Sequence, residues 1–268
     1  MNDCTKLFIL TSILLNNRLK AYSEYVREAI RRGYSVESLE TFQRHYKEPG
    51  KHFVLRHDVD HNGIAARKMF ECEKKLGVKS TYYFRKSTIN KRLIDEMIRD
   101  GFDVGFHFET VAEYIEEKHI QDKKEIDLDE CRERLKKEIR EFEETIGHEI
   151  YSICSHGAAS NVKLNISSNV ITEDGIPVDF TVAFEAYDRD MYQYVDCHIM
   201  DSTILNNFGF SYRDTPFSAM KEEKQNIVFL AHPNHWYLNG WQRVRKFIAF
   251  ILGKATCSTS RQFERIAQ

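Results

Sequence analysis

Short apolar runs and helical periodicities take turns along the chain from Lys51 to Gly157. Phe53-Val54-Leu55 centres a strand over residues 52–56. Residues 64–76 then space their apolar side chains as one helical face, and Gly77 follows, a residue suited to the left-handed turn that ends a helix. The alternation continues with a strand over 80–85, a helix over 89–100 stopped by Gly101, and a strand over 102–108. A long helix over 127–146 sets Leu128, Leu135, Ile139 and Phe142 at helical spacing among charged residues, and residues 150–155 read as another strand. Upstream, the apolar run over residues 7–15 reads as a buried first strand, and residues 16–32 as a charged amphipathic helix. Beyond Gly157 the pattern loosens. Residues 161–187 are polar and loop-rich, with strand candidates over 180–184, 192–198 and 227–230.

Strands alternating with helices in this way predict an α/β protein with a parallel sheet. At least five such units are present, and periodicity alone fits either an open sheet or a closed barrel. In both arrangements functional groups gather at the carboxyl ends of the strands. Repeats, low-complexity tracts and Pro/Gly/Ser linkers are lacking, so one domain over residues 1–268 is expected.

Composition narrows the classes. A chain that is 42% hydrophobic with only 4 Pro has the material for a large core, and a net charge of −2 offers no basic footprint for nucleic acid or anionic lipid. Asp3 ahead of the apolar run over 7–15, with no small-residue cleavage site after it, argues for a strand rather than an export signal. No other run approaches the roughly 18 apolar residues that span a bilayer. The 6 cysteines lack CxxC spacing and read as reduced thiols, which suits a cytoplasmic protein.

Candidate chemistry sits where the strands end. His57-Asp58-Val59-Asp60-His61 follows Phe53-Val54-Leu55, and alternation puts Arg56, Asp58 and Asp60 on one face and His57 on the other. Two carboxylates this close repel unless a cation lies beside them, although acids here also serve as helix caps. His107 ends the next-but-one strand with Glu109 two residues on, an imidazole and carboxylate pair suited to zinc, manganese, iron or cobalt. Cys154-Ser155-His156-Gly157 and Ala231-His232-Pro233-Asn234-His235-Trp236 each place histidine after an apolar run. A single such histidine is usually structural; four strand ends delivering His or Asp imply a shared site. His45, His119 and His148 lie in helical or charged contexts and read as surface residues.

The chain resembles the polysaccharide deacetylase superfamily, carbohydrate esterase family 4 in the broad sense, including a branch found with surface-polysaccharide biosynthesis. The resemblance rests on Leu55-Arg56-His57-Asp58-Val59-Asp60, Thr81-Tyr82-Tyr83-Phe84-Arg85, the segment from Gly101 to Glu109, Cys154-Ser155-His156-Gly157 and Leu230-Ala231-His232-Pro233, in family order over about residues 50–240. It implies a distorted (β/α) barrel of about seven strands with a divalent metal at its mouth, zinc first, with manganese, cobalt or iron as alternatives. By the same resemblance Asp58 matches the catalytic base, Asp60 and His107 match metal ligands, His232 matches the general acid, and Asp201 matches a late aspartate that tunes the machinery. One position departs: the second metal histidine expected four residues after His107 is Val111, which leaves Glu109 or His156 to complete the metal sphere. The Arg-Pro-containing third motif is also absent.

The implied activity is removal of an acetyl group from an N-acetylated sugar or surface-polysaccharide precursor by a metal-dependent amide hydrolase. Arg56 and Arg85 suit either substrate anions or structural ion pairs. Trp236 beside the histidines is the best candidate for sugar stacking, ahead of Tyr82, Tyr83 and Trp241. Two rivals stand: a metal-dependent C-N hydrolase of another small amide, formamide or ureide, and a non-catalytic sugar-binding barrel that has lost its metal. A carbohydrate substrate is expected, with neither nucleic acid nor a membrane span, and a homo-oligomer is left open.

Overall fold

The strands among the described residues of this computed structural model run parallel, as the alternation requires, and hydrogen-bond into one sheet. The structure describes residues 18–61, 63–201, 210 and 214–238; the strand expected over residues 7–15 and Trp241 lie outside the described residues. The strands are β1 (Ser35–Ser38), β2 (His52–Val59), β3 (Thr81–Phe84), β4 (Asp103–Phe108), β5 (Ser152–Ser155), β6 (Phe184–Glu185), β7 (Cys197–Met200) and β8 (Asn226–Ala231). Their order is β6-β5-β4-β3-β2-β8-β7, with β1 off this path. One edge of β2 is shared: its first half pairs with β1 from Ser35↔His52 to Ser38↔Leu55, and its second half with β3 from Arg56↔Thr81 to Val59↔Phe84. β8 takes the other edge, from His52↔Asn226 to His57↔Ala231.

The helices arise where the sequence supplies caps and apolar faces. α1 (Leu19–Arg31) and α2 (Leu39–His45) flank β1; α3 (Gly63–Leu76), α4 (Lys91–Arg99) and α5 (Thr110–Glu117) follow β2, β3 and β4, and α6 (Leu128–Ile146) precedes β5. The Asn90 side chain accepts the Leu93 N–H and so starts α4, which buries Leu93, Ile94 and Met97. Gly77 and Gly101, at φ +71° and +75°, turn the chain out of α3 and α4 as expected from their place after each periodic run.

Alternation along the strands builds two apolar layers. Phe53, Leu55, Tyr82, Phe84, Phe106 and Phe229 face outward against the helices, while Val54, Tyr83, Cys154, Phe184 and Val228 face inward and meet Leu39 and Phe42 of α2. The inward side chains show that the sheet curls. Arg56 on β2 touches Cys154 Sγ on β5 at 2.7 Å. Three strand spacings would separate those strands by about 14 Å in a flat sheet. β6 and β7, at the two ends of the path, are not paired with each other; the rings of Tyr187 and Tyr192 bridge to His198 at 6.2 and 5.6 Å instead. The fold is a distorted (β/α) barrel with a seven-strand path, in which β6 and β7 do not pair among the described residues.

The differences from expectation are local. β2 runs on to Val59, so Asp58 lies within the strand. β1 and α2 fall in a stretch assigned no element, and β6 covers only Phe184–Glu185 of the strand expected near residues 180–184. The strand expected over 192–198 begins at Cys197, because Asp188 caps a helical turn, α8 (after the short α7, Ala159–Lys163), at Arg189–Tyr192 by accepting the Met191 N–H. Two short helices, α9 (Pro216–Lys221) and α10 (Pro233–Trp236), flank β8. Cys72, Cys131, Cys154 and Cys197 are free of disulfides. Among the described residues no helix is long and apolar enough to cross a membrane.

Candidate active site

The inward positions of β2 are Val54, Arg56 and Asp58, and Asp60 follows one residue past the strand. On β4, His107 occupies the inward row that contains Gly105, where a Cβ would stand 2.4 Å from Tyr83 Cε1. On β5, Ser152 and Cys154 point inward, and His156 continues that row after the strand ends. Three strands, β2, β4 and β5, thus deliver polar side chains to one rim of the barrel.

Asp60 is at the centre of them. Its Oδ1 lies 3.4 Å from His107 Nε2 and 3.8 Å from His156 Nε2, and its Oδ2 lies 3.7 Å from His232 Nε2. Oδ1 is buried and makes no hydrogen bond. Both facing imidazoles are tied at their other nitrogen: His107 Nδ1 donates to the Cys154 carbonyl at 3.0 Å, and His156 Nδ1 donates to Glu109 Oε1 at 2.8 Å. Each therefore turns its Nε2 toward an unsatisfied carboxylate oxygen. One carboxylate and two imidazoles form a donor set that fits zinc or another borderline divalent ion.

Electrostatics follow from this crowding. Burial alone would raise Asp60, but His107, His232 and His156 outweigh it and hold the carboxyl well below the ordinary carboxylate range. Burial would lower His107, yet Asp58 and Asp60 beside it raise its proton affinity instead. Asp58 is desolvated too, and Arg56 together with His107 keeps it ionised. Arg56 grips Asp58 with two parallel bonds, Nε to Oδ1 at 3.0 Å and Nη2 to Oδ2 at 2.9 Å. Asp58 Oδ2 is 3.6 Å from His107 Nε2, so the two side chains stand side by side.

On the far side of Asp60, Asp201 holds His232. Asp201 Oδ1 accepts Nδ1–H of His232 at 2.6 Å and of His235 at 3.0 Å; Oδ2 accepts the His232 backbone N–H at 2.8 Å and Trp236 Nε1–H at 2.6 Å. Burial depresses His232, but Asp201, Asp60 and Asp58 outweigh it and raise its pKa to about 10. The carboxylates around His232 thus favour its protonated ring, and its Nε2 faces Asp60.

Among the described residues, three other donor groups fit an ion less well. Asp58, His107 and Cys154 converge, but Arg56 already engages both Asp58 oxygens and burial pushes the Cys154 thiol far above its usual range, away from the thiolate a metal needs. In the group of Asp201, His232 and His235, the carboxylate already accepts all four N–H donors described above. Glu37, His45 and His52 gather at the start of β2, about 26 Å of strand from Asp60 by the usual rise per residue. There Glu37 bridges the imidazoles at 3.0 and 2.6 Å, so His45 is part of a cluster rather than a bare surface residue.

Several side chains named from the sequence stand elsewhere. Arg56 is fully buried and committed to Asp58, which removes it from substrate contact. Arg85 bonds Glu109 Oε2 through Nε at 2.9 Å and Nη2 at 2.5 Å. Glu109, with both oxygens occupied by His156 and Arg85, sits behind the donor cluster and is held ionised, near pKa 2, against the effect of its burial. Trp236 is 1% exposed, with Arg18 4.6 Å from its ring centroid and Tyr22, Tyr25 and Phe229 around it, so it presents no stacking surface. Tyr82 and Tyr83 are fully buried as well. Val111 is packed in the outer core. His57 points away from the site into a buried cluster in which Glu73 accepts from Tyr22, Ser80, Tyr82 and His57. His235 joins the site through Asp201, and its spacing three residues after His232 is the signal the sequence carries for it.

No family model matches the chain, and no curated protein matches it. Solved structures do. A carbohydrate esterase family 4 pseudoenzyme from Bacillus anthracis aligns at 16% identity and TM-score 0.41 over 78% of this chain and 63% of its own. A mutant of that pseudoenzyme with restored activity aligns at 16% and TM-score 0.40, again over 63% of its length, so this chain spans under two thirds of either. The family 4 domain of a multidomain xylanase from the hindgut metagenome of Trinervitermes trinervoides aligns at 12% and TM-score 0.39, over 82% of this chain and 92% of that one. The chain is similar to structures of carbohydrate esterase family 4, the family its sequence motifs resemble.

Proposed function

We propose that the chain is a metal-dependent hydrolase that removes an acetyl group from an N-acetylated sugar, with Asp60, His107 and His156 as the metal ligands. The observation that carries this reading is the unsatisfied, buried Asp60 Oδ1 facing two imidazoles whose other nitrogens are already tied. A divalent ion held there supplies Lewis acidity for an amide carbonyl and for water.

The protein groups divide the proton work. Asp58, kept ionised by Arg56, accepts the proton of the attacking water on a lone pair the guanidinium does not use. His232, charged and oriented by Asp201, gives its Nε2 proton to the departing amine. Asp58 stands beside His107 and His232 faces Asp60 Oδ2, so one group takes the proton of the water while the other protonates the departing nitrogen. The sugar substrate class is the part that comes from the motif resemblance; the rim geometry suits amides generally.

The test is acetate release from N-acetylated oligosaccharides by protein loaded with zinc or cobalt. Wild type should release acetate, while Asp58→Asn should retain metal and lose turnover. Release of formate or ammonia from small amides, with no acetate from any acetylated sugar, would move the reading to another C-N hydrolase. Turnover unchanged in Asp58→Asn would end the base assignment.

A further inference from the structure

The sequence leaves a gap in the expected metal sphere at Val111. We propose that Glu109 and Arg85 are positioning residues that hold His156 with Nε2 turned toward Asp60 and His107, so that a side chain from β5 serves as the third donor. This inference rests on the metal-centre reading above.

Glu109 is no longer a strand residue: β4 ends at Phe108, and Glu109 takes φ −125°, ψ 18° at the N-cap of α5. Its carbonyl accepts the Glu113 N–H at 2.9 Å, which fixes its backbone to the first turn of the helix. Its side chain then lies between two neighbours, with Oε1 accepting His156 Nδ1–H at 2.8 Å and Oε2 taking the Arg85 fork. Arg85 leaves the end of β3, donates from Nη1 to the Asp60 carbonyl at 3.4 Å, and is braced by the Thr88 hydroxyl, which accepts the Arg85 N–H at 2.9 Å. Thr88 in turn donates to the Val59 carbonyl at 2.8 Å. The ends of β2, β3, β4 and β5 are thus joined in sheet order by Asp60, Arg85, Glu109 and His156.

An imidazole on a strand end is free to turn about its side-chain bonds and to carry its proton on either nitrogen. A carboxylate at Nδ1 fixes the ring, places the proton on Nδ1 and strengthens Nε2 as a donor, and losing such a partner typically weakens metal binding 10- to 100-fold. Arg85 keeps Glu109 from swinging into the sphere itself, because both Glu109 oxygens are occupied.

Two measurements test this. In metal-free protein with 15N-labelled histidine, His156 should be the Nδ1–H tautomer in wild type and lose that preference in Glu109→Ala. In cobalt titrations, Glu109→Ala and Arg85→Met should bind one ion per chain about 10- to 100-fold more weakly than wild type. Glu109→Gln, which keeps an acceptor oxygen, should recover much of the affinity. Thermal unfolding of the metal-free variants, close to wild type, would show that the loss is local. Affinity of Glu109→Ala within twofold of wild type would overturn the inference and leave the metal centre standing. Glu109→Gln failing as badly as Asp60→Ala would overturn it too, by making Glu109 a ligand. Wild type that takes up no cobalt would overturn both.

Discussion

Replacing Asp201 with asparagine removes charge from a buried carboxylate that accepts four N–H donors, two from His232 and one each from His235 and Trp236. Whichever way the amide is turned, its NH2 faces two donors, so two of the four bonds are lost. Hydrogen bonds to a charged group contribute about 1.5–3 kcal/mol each, which puts the loss at about 3–6 kcal/mol. A second route gives a similar size. His232 moves from 6.5 to about 10, and at about 1.4 kcal/mol per pKa unit this is about 5 kcal/mol, shared with Asp60 and Asp58. Because the folded pKa of His232 is raised, its contribution is full below pH 6.5 and is lost as pH climbs toward about 10. Asp201 is shifted down from 3.8, by the two imidazoles against its burial, so its own contribution is present above that value and lost as pH falls. The advantage of wild type over Asp201→Asn should therefore peak between about pH 4 and 6.5 and shrink above it by up to about 1.4 kcal/mol per unit. Urea unfolding of metal-free protein at pH 5.5 and 8.5 measures the difference, and the His232 ring signals give its titration directly. A pH-independent difference, or a wild-type His232 titrating near its ordinary value, would refute the reasoning.

Other perturbations probe the barrel that supports the site. Arg56→Met leaves Asp58 charged and unpaired in the interior, so stability should fall by about 3–5 kcal/mol, and pairing it with Asp58→Leu should recover part of that; simple additivity of the two losses in urea unfolding would contradict the pairing. Glu40, buried beneath the site and accepting from Ser152 Oγ at 2.8 Å, is pushed up to about 8 by burial first and then by Asp103. Its folded pKa is raised, so stability relative to Glu40→Gln should decline from pH 4.5 toward 8 by up to about 1.4 kcal/mol per unit, and a flat difference would count against it. Gly105→Ala drives a methyl to 2.4 Å from Tyr83 Cε1 and 2.6 Å from the Ser152 carbonyl; a melting temperature unchanged from wild type would contradict the tight inward packing, since overpacking costs about 1–3 kcal/mol.

What the sequence made legible is what strand alternation and helix punctuation encode. The β2 to β5 series, the stops at Gly77 and Gly101, and the opposite facing of Asp58 and His57 all follow from a period of two in strands and from glycine at positive φ. Alternation fails where the strand stops. Glu109 was placed with His107 by counting two residues along β4, but the chain bends into α5 at Glu109 itself, which redirects its side chain to Arg85 and His156. β1 is hidden for a different reason: Ser35-Val36-Glu37-Ser38 has little β-rich character, and it becomes a strand by pairing with the first half of β2. Trp236 looked like a sugar platform because it neighbours the histidines, yet its indole N–H is needed by Asp201 and the ring is drawn into the core. Arg56 is indistinguishable by sequence from a substrate anchor; only the curl of the sheet, which is set by the whole barrel, reveals that it is enclosed.

The most direct test of the central claim is an anomalous difference map from crystals grown with zinc. The account predicts one peak among Asp60 Oδ1, His107 Nε2 and His156 Nε2, with Glu109 outside the coordination sphere. A peak only between Glu37, His45 and His52, or no peak at the Asp60 rim, would contradict it.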